Sequence, residues 1–322
     1  MPRFDVTIAG ELNLDLILYG LPTDLPRERE LLANSMMLTL GSSSAIVAHN
    51  LAALGSRVGF QSKIGTDELG EIALKRLAAS GADTSLVRRS ENSNTGLTVI
   101  LQHDRWRNIL TYSGTISELR LSDLDLEYLA DSRHFHLSSF YLQSSLRRDI
   151  PELFRRLKSV GLTISVDTND DPEDRWGDDL REMLRHVDVF LPNEREARKI
   201  AHNENLEDAI AILSAMVPTL VVKLGTKGAV ARQGDKEFRS AAVPVTVVDP
   251  VGAGDSFDAG FLHQYIRGAD LTTCLELANL AGALSTTRPG GTEAFRDAEY
   301  RKKFVREHAR SVSTANKNAE AR

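Results

Sequence analysis

The chain has 322 residues, 42% of them hydrophobic and 26% charged, with a formal net charge of −6. That is an ordinary globular composition, sized for one large α/β domain or two small ones. The negative balance excludes a nucleic-acid binder held by phosphate neutralisation, though not a local nucleotide site. The single cysteine, Cys274, excludes an intrachain disulfide framework and a Cys-rich metal site, and it fits a reducing compartment.

Phe4 to Ala9 reads as a short buried strand. Glu11 to Leu18 alternates, with Glu11, Asn13 and Asp15 on one face and Leu12, Leu14, Leu16 and Leu18 on the other. Leu38 to Leu40 adds a strand. Gly41-Ser42-Ser43-Ser44 then opens a helix over residues 45–54, with Ser43 or Ser44 as its N-cap and Gly55 at C′. Arg57–Lys63 reads as a strand and Asp67–Ala79 as a helix. Gly96–Gln102 and Asn108–Tyr112 form a hairpin around a polar turn that carries Arg105 and Arg107.

From Arg133 onward strands and helices alternate. Strands are expected at 134–138, 162–167, 187–191 and 219–224, and helices at 144–159, 178–186, 194–202 and 206–216. Hairpin strands follow at 228–233 and 237–239, then a strand at 243–248, a helix from about Asp255 to Ile266, and a helical segment over 271–287. Cys274 lies in this last segment as a small apolar filler. This rhythm of β-branched runs and helices indicates an α/β fold with a mostly parallel sheet covered on both faces. The polar-faced early strands do not suit such a core. They read as a small β lid from about residues 11–40 and 95–115.

No apolar run approaches the ~18 residues of a membrane helix. The N-terminus lacks a signal-peptide core, so the chain is expected to be cytoplasmic. Residues 313–322 are polar and small, and read as a tail behind a domain spanning 1–312.

Chemistry concentrates in Asp249-Pro250-Val251-Gly252-Ala253-Gly254-Asp255, which joins the expected strand to the expected helix. Glycines there let the backbone bend and N–H groups converge. The helix start adds partial positive charge, which makes an anion site suited to phosphate. Asp255 stands where an incoming hydroxyl would meet that phosphate. Its plainer reading is a helix cap. A helix N-terminus lowers a carboxylate pKa, which predicts a weak base. No P-loop and no Gly-x-Gly-x-x-Gly occurs.

Asp-x-x-Gly-Ala-Gly-Asp followed by Phe257 and a small-residue helix resembles the ribokinase (PfkB) family of sugar and nucleoside kinases. The resemblance covers nearly the whole chain. It implies a ribokinase-like α/β body with a strand lid, an ATP-dependent and magnesium-requiring kinase, and a homodimer joined through the lids. Asp255 would be the catalytic base, with the N–H groups of Gly252, Ala253 and Gly254 as the anion hole. Asn13 and Asp15 match the family's substrate-binding Asn-x-Asp. Gly41 and Ser42 stand where the family has Gly-Gly, and Ile46 where it has Asn.

Replacing that amide by Ile46 removes a donor and an acceptor from the expected pocket, which puts the substrate in question. Asn50, one turn on, is the nearest stand-in. Asn193 and Glu196 form a capping pair and also match the family's magnesium-ordering Asn-x-x-Glu. Lys223, Gly225 and Thr226 lie at a turn the family places beside the nucleotide, and Asn279 matches a position next to adenine. Asp249 with the Arg288–Thr292 loop resembles a monovalent-cation site, and K+ is the ion implied. Asp167-Thr168-Asn169 matches an Asp-x-Asn at a strand end, where such sheets bind ligands. His134 and His136 form a strand pair facing one side. Arg105 and Arg107 suit an acidic or phosphorylated substrate. A nucleoside kinase and a non-catalytic, nucleotide-regulated sugar-binding protein remain the rival readings.

Overall fold

A computed structural model describes residues 1–103 and 106–308. Arg105 and the tail over 313–322 lie outside the described residues. The elements run β1 (Phe4–Ala9), β2 (Leu14–Tyr19), β3 (Ser35–Leu40), α1 (Ser43–Ala53), β4 (Val58–Gly65), α2 (Glu68–Ala78), β5 (Asp83–Ser90), β6 (Leu97–Gln102) and β7 (Arg107–Tyr112). They continue α3 (Leu126–Ala130), β8 (Ser132–Ser138), α4 (Ile150–Ser159), β9 (Thr163–Asp167), α5 (Asp178–Leu184), β10 (Val189–Phe190), α6 (Glu194–Ala201) and α7 (Leu206–Ser214). Then come β11 (Thr219–Lys223), β12 (Ala229–Gln233), β13 (Lys236–Ser240), α8 (Ala253–Tyr265), α9 (Leu271–Thr286) and α10 (Glu293–Arg296). A further helical stretch covers residues 298–308.

The large sheet has the order β13-β12-β11-β10-β9-β8-β1-β4-β5. It is parallel from β11 to β5 and antiparallel at β12 and β13. Its strands are apolar on both faces because helices cover both. Phe135 and Leu137 of β8 join one core with Leu153, Phe154 and Leu157 of α4. Val6 and Ile8 of β1 join the opposite core with Phe261 of α8 and Leu275 of α9. Cys274 is buried in that second core, as the expected filler.

Between β8 and β9 runs a polar chain. Thr163 Oγ1, His134, Ser165 Oγ, His136 and Ser138 Oγ follow one another at 2.7–2.8 Å. Both imidazoles are fully buried. Burial, and for His134 also the neighbouring His136, pushes each pKa down to about 3, so both are neutral. The expected pairing of the two histidines on one side holds, and their partners are hydroxyls rather than a metal.

The small sheet, β3-β2-β6-β7, is the expected lid. Its rows pair Thr39, Asp15, Thr98 and Thr111, then Met37, Ile17, Ile100 and Ile109, then Ser35, Tyr19, Gln102 and Arg107. Ile17 and Ile100 are buried against Val251, so this face looks onto the body. On the opposite face Met36, Leu110 and Tyr112 are exposed.

Several expectations need correction. Residues 243–248 are not a strand: among the described residues the segment has no ladder partner, and Val248 N, like the following Asp249 N, donates to Thr286 O. Val247 and Val248 are exposed. The helix after β8 begins later than Ser144, because a 3-10 turn at Arg147–Asp149 precedes α4. β2 begins at Leu14, so Asn13 lies just before it. The N-cap of α1 is Ser42, whose Oγ accepts from Ala45 N. β5 was missed, because Asp83–Ser90 is polar at the edge of the sheet.

Candidate active site

The ends of the parallel strands converge where α8 begins. Gly252 is the N-cap of α8, with φ +73°. A β-carbon there would lie 2.5 Å from Gly291 Cα, so glycine is required on two counts. A β-carbon on Gly254 would meet nothing closer than Lys223 Nζ at 3.7 Å, which leaves space over the helix start. The first N–H groups of a helix have no acceptor within it, and here they edge that space.

Asp255 is the third residue of α8, not its cap. The reading of Asp255 as a plain N-cap therefore fails. Its pKa is also not lowered. Burial, then the charge of Asp167, raises it to about 6, outweighing the charge of Lys223 and a hydrogen bond from Ser43. Asp255 is thus a better base than the sequence suggested.

Asp15 is buried across the cleft, and its pKa rises to about 7 through burial and the charges of Asp255 and Asp249. Gly41 makes this approach possible: a β-carbon there would lie 2.1 Å from Asp15 Oδ1. Asn13 is buried beside it, and its Nδ2 donates to Leu14 O at 3.1 Å. Ser42 adopts φ +68°, a backbone that favours glycine, and its hydroxyl donates to Glu11 O. Glu11 in turn accepts from Ser44 Oγ at 2.7 Å and Ser44 N at 3.2 Å, which places a carboxylate at the positive end of α1.

A second cluster lies beneath the loop. Lys223 Nζ donates to Asp167 Oδ2 at 2.7 Å and to both Asp258 oxygens at 3.2 Å, all well buried. Burial opposes the lysine's charge, but Asp167 and Asp258 overcome it and raise its pKa. Burial raises the Asp258 pKa strongly, and Asp258 hydrogen-bonds Asp167. The triad reads as ionised Asp167, ammonium and protonated Asp258. Asp258, one turn after Asp255 on α8, was missed because a lone Asp in an apolar helix carries no spacing signal.

Asn193 and Glu196 form the expected reciprocal capping box at the start of α6. Glu196 accepts from Asn193 N at 2.9 Å. Burial and the charge of Asp167 raise its pKa to about 7. Gly225 and Thr226 form an exposed 3-10 turn just after Lys223. Asn279 is buried in α9, and its Nδ2 donates to Ser240 O at 3.1 Å. That bond supplies the partner expected for a mid-helix asparagine, and the partner belongs to the protein.

The remaining expectations sort cleanly. Asp249 is buried, with Oδ1 accepting from Val251 N at 2.9 Å and Oδ2 from Gly290 N at 2.9 Å and Tyr19 OH at 2.7 Å. Three protein donors thus already meet the carboxylate expected beside a monovalent cation. Asn50 does not stand in for the missing amide. Its Nδ2 holds Ser256 Oγ and Gly291 O, and its Oδ1 faces His49. Ile46 packs behind the loop, 2.8 Å from where a Gly291 β-carbon would stand. The structure adds Gln143, buried near Gly10, whose Oε1 has no partner among the described residues. It sits in the loop after β8, where no sequence periodicity marks it.

A family model described as pfkB family carbohydrate kinase matches residues 4–298. The chain is 30% identical to a cytidine kinase of Thermococcus kodakarensis over 281 residues, covering 85% of this chain and 92% of that one. It is 29% identical to an ATP-dependent ribose-1-phosphate kinase of Halopiger xanaduensis, covering 90% and 94%. Its fold matches a protein described as a ribokinase II from E. coli, solved with ATP and Mg2+, with TM-score 0.80, 27% identity and coverage of 95% and 100%. With the glycine loop, the buried carboxylates and the β lid in place, the chain belongs to the pfkB carbohydrate kinases, phosphotransferases whose acceptor is an alcohol.

Proposed function

We propose that the protein transfers the γ-phosphoryl group of ATP to a hydroxymethyl group of a sugar or sugar-like substrate. The observation that carries this reading is Asp255 itself: a buried carboxylate in the first turn of α8, directly after the Gly252–Gly254 loop, whose pKa burial and Asp167 raise to about 6. Asp255 takes the proton of the acceptor hydroxyl as its oxygen attacks the γ-phosphorus, and ADP leaves. The N–H groups of Gly252, Ala253 and Gly254 stabilise the phosphoryl oxygens. A loose transition state asks mainly for such positioning and charge stabilisation.

Asn13, Asp15, Gly41 and Ser42 hold the substrate, with Gln143 Oε1 as a further acceptor. Lys223, Gly225, Thr226 and Asn279 border the nucleotide. Glu196, held by Asn193, suits the water shell of Mg2+ at the phosphates. Mg2+ would neutralise charge on the β- and γ-oxygens. No step is assigned to a monovalent cation, because Asp249 already accepts from Tyr19 and two backbone N–H groups.

The exposed outer face of the lid, with Met36, Leu110 and Tyr112, suits pairing with a second copy. Light scattering at micromolar concentration tests this, and a monomer would remove it. The relative named as a cytidine kinase keeps a nucleoside acceptor as the second reading. A coupled ADP-release assay across sugars, sugar phosphates and nucleosides decides. ADP formed with a sugar-like acceptor supports the proposal, formation with nucleosides alone replaces it, and none with any acceptor leaves a binding protein.

A further inference from the structure

The lid register places one cationic side chain on the cleft side. Arg107 opens β7 and pairs with Gln102, which pairs with Tyr19. Thr111, four residues on, pairs with Thr98, which pairs with Asp15. Side chains two or four apart on a strand share a face. Arg107 therefore stands on the face of Asp15, Ile17 and Tyr19, the face turned to the body. Its neighbour Asn108 points the other way, where its Oδ1 meets His103 Nε2 at 3.0 Å.

Among the described residues Arg107 has no ion-pair partner. Its positive charge weakly opposes the upward pKa shift of Asp15. Deeper in, the cleft is acidic. Asp15, Asp249, Asp255 and Glu11 are all buried there, and Lys223 is held by Asp167 and Asp258. An anionic group on the acceptor is repelled from the depth of the site and is matched only at the mouth. The backbone rows of Asp15 and Arg107 are four residues, about 14 Å, apart along the strands. The long arginine side chain shortens that span towards the length of a sugar.

We propose that Arg107 is the anion-recognising residue of the acceptor site, and that the substrate is a sugar carrying a phosphate or a carboxylate at the end remote from the hydroxyl that is phosphorylated. This rests on the kinase reading above. Arginine suits both anions, because its planar fork donates two parallel hydrogen bonds to either.

Steady-state ADP release from matched probes tests it: ribose against ribose 1-phosphate, and a neutral deoxysugar against a 2-keto-3-deoxy sugar acid. In the wild type the anionic member of at least one pair should have a kcat/KM about 10–100-fold higher, the factor expected for hydrogen bonds to a charged group. Arg107→Ala should erase that advantage through KM, with kcat little changed, and Arg107→Lys should restore part of it. Which pair responds tells phosphate from carboxylate. Equal kcat/KM within both pairs, unmoved by Arg107→Ala, would overturn the subsite and leave the kinase standing. Calorimetry of the same probes without nucleotide separates the two ideas. Binding that depends on the anion and on Arg107, with no ADP release from any probe, would uphold the subsite and sink the kinase.

Discussion

Tyr19 on the lid donates a 2.7 Å hydrogen bond to Asp249 Oδ2, in the loop that leads into α8. The same oxygen accepts from Gly290 N at 2.9 Å. One carboxylate therefore ties the lid, the glycine loop and the 288–292 loop together. Thr39 adds a second tie, through its 3.0 Å bond to Glu293 Oε1. A lid that moves must break or carry these contacts, so its position is coupled to the glycine loop.

The first prediction removes that hydroxyl. Tyr19→Phe should lower stability by about 0.5–1.5 kcal/mol and raise KM for the acceptor, with the fold intact by circular dichroism. In the wild type, exchanging K+ for tetramethylammonium should change kcat by less than about twofold, since protein donors occupy all but one of the roughly four acceptor positions of the Asp249 carboxylate. Strong K+ activation of the wild type would show that the Tyr19 bond yields to the ion.

The second concerns Asp255. Asp255→Asn should reduce kcat by about 10²–10⁴. Wild-type activity should rise with pH on a limb near 6, where Asp255 loses its proton; because Asp15 titrates nearby, the limb belongs to the pair. The stability effect has the opposite sense. The folded pKa lies above the unfolded value, so the native state holds the proton more tightly between them. Stability is full below about pH 4 and falls as pH rises through about 6. Asp255→Asn should therefore be inactive yet more stable at pH 8, by about 1–3 kcal/mol. Denaturant titration at pH 5 and pH 8 checks this, and an equal difference at both pH values would contradict it.

The third tests the buried triad. Lys223→Met leaves Asp167 charged, buried and unpaired, and should destabilise by about 3–5 kcal/mol. Asp258→Asn should be nearly neutral, because an amide still donates to Asp167 as the protonated acid does. If Asp258→Asn proved as damaging as Lys223→Met, both carboxylates would be ionised.

Ser42 supplies the fourth. Its φ of +68° costs a non-glycine residue about 1–3 kcal/mol, whereas replacing a serine cap by glycine costs only a few tenths. Ser42→Gly should raise stability by about 0.5–1.5 kcal/mol by thermal or urea unfolding. A loss would mean that the Ser42 bond to Glu11 O outweighs the strain.

What could be read in advance followed physical period. The parallel strands and their helices carry β-branched runs and 3.6-residue patterns, and they emerged near their expected bounds. The Asp249–Asp255 run marked where the glycine loop turns into α8, because glycine and helix start are local properties. What escaped was non-local. Residues 243–248 are as apolar as any strand, and only the absence of a neighbouring strand makes them a loop. The pKa of Asp255 is set by Asp167, which arrives from 88 positions earlier in the chain. Asn50 and Asp249 looked free in one dimension and proved engaged once the fold brought Ser256, Gly291 and Tyr19 to them.

The chain of hydroxyls and imidazoles between β8 and β9 also bears on how the sheet finds its alignment. Parallel strands of plain valine and isoleucine can slide by two residues and still bury apolar faces. Here such a slide would break the three bonds that cross between the strands, His134 to Thr163 and Ser165 and His136 to Ser165, while the His136–Ser138 bond within β8 would survive. Each buried group left unpaired costs about 1–3 kcal/mol, so the mispaired sheet would sit a few kcal/mol above the correct one. These side chains favour one register, which sets Ser138 opposite Asp167 where β8 and β9 end.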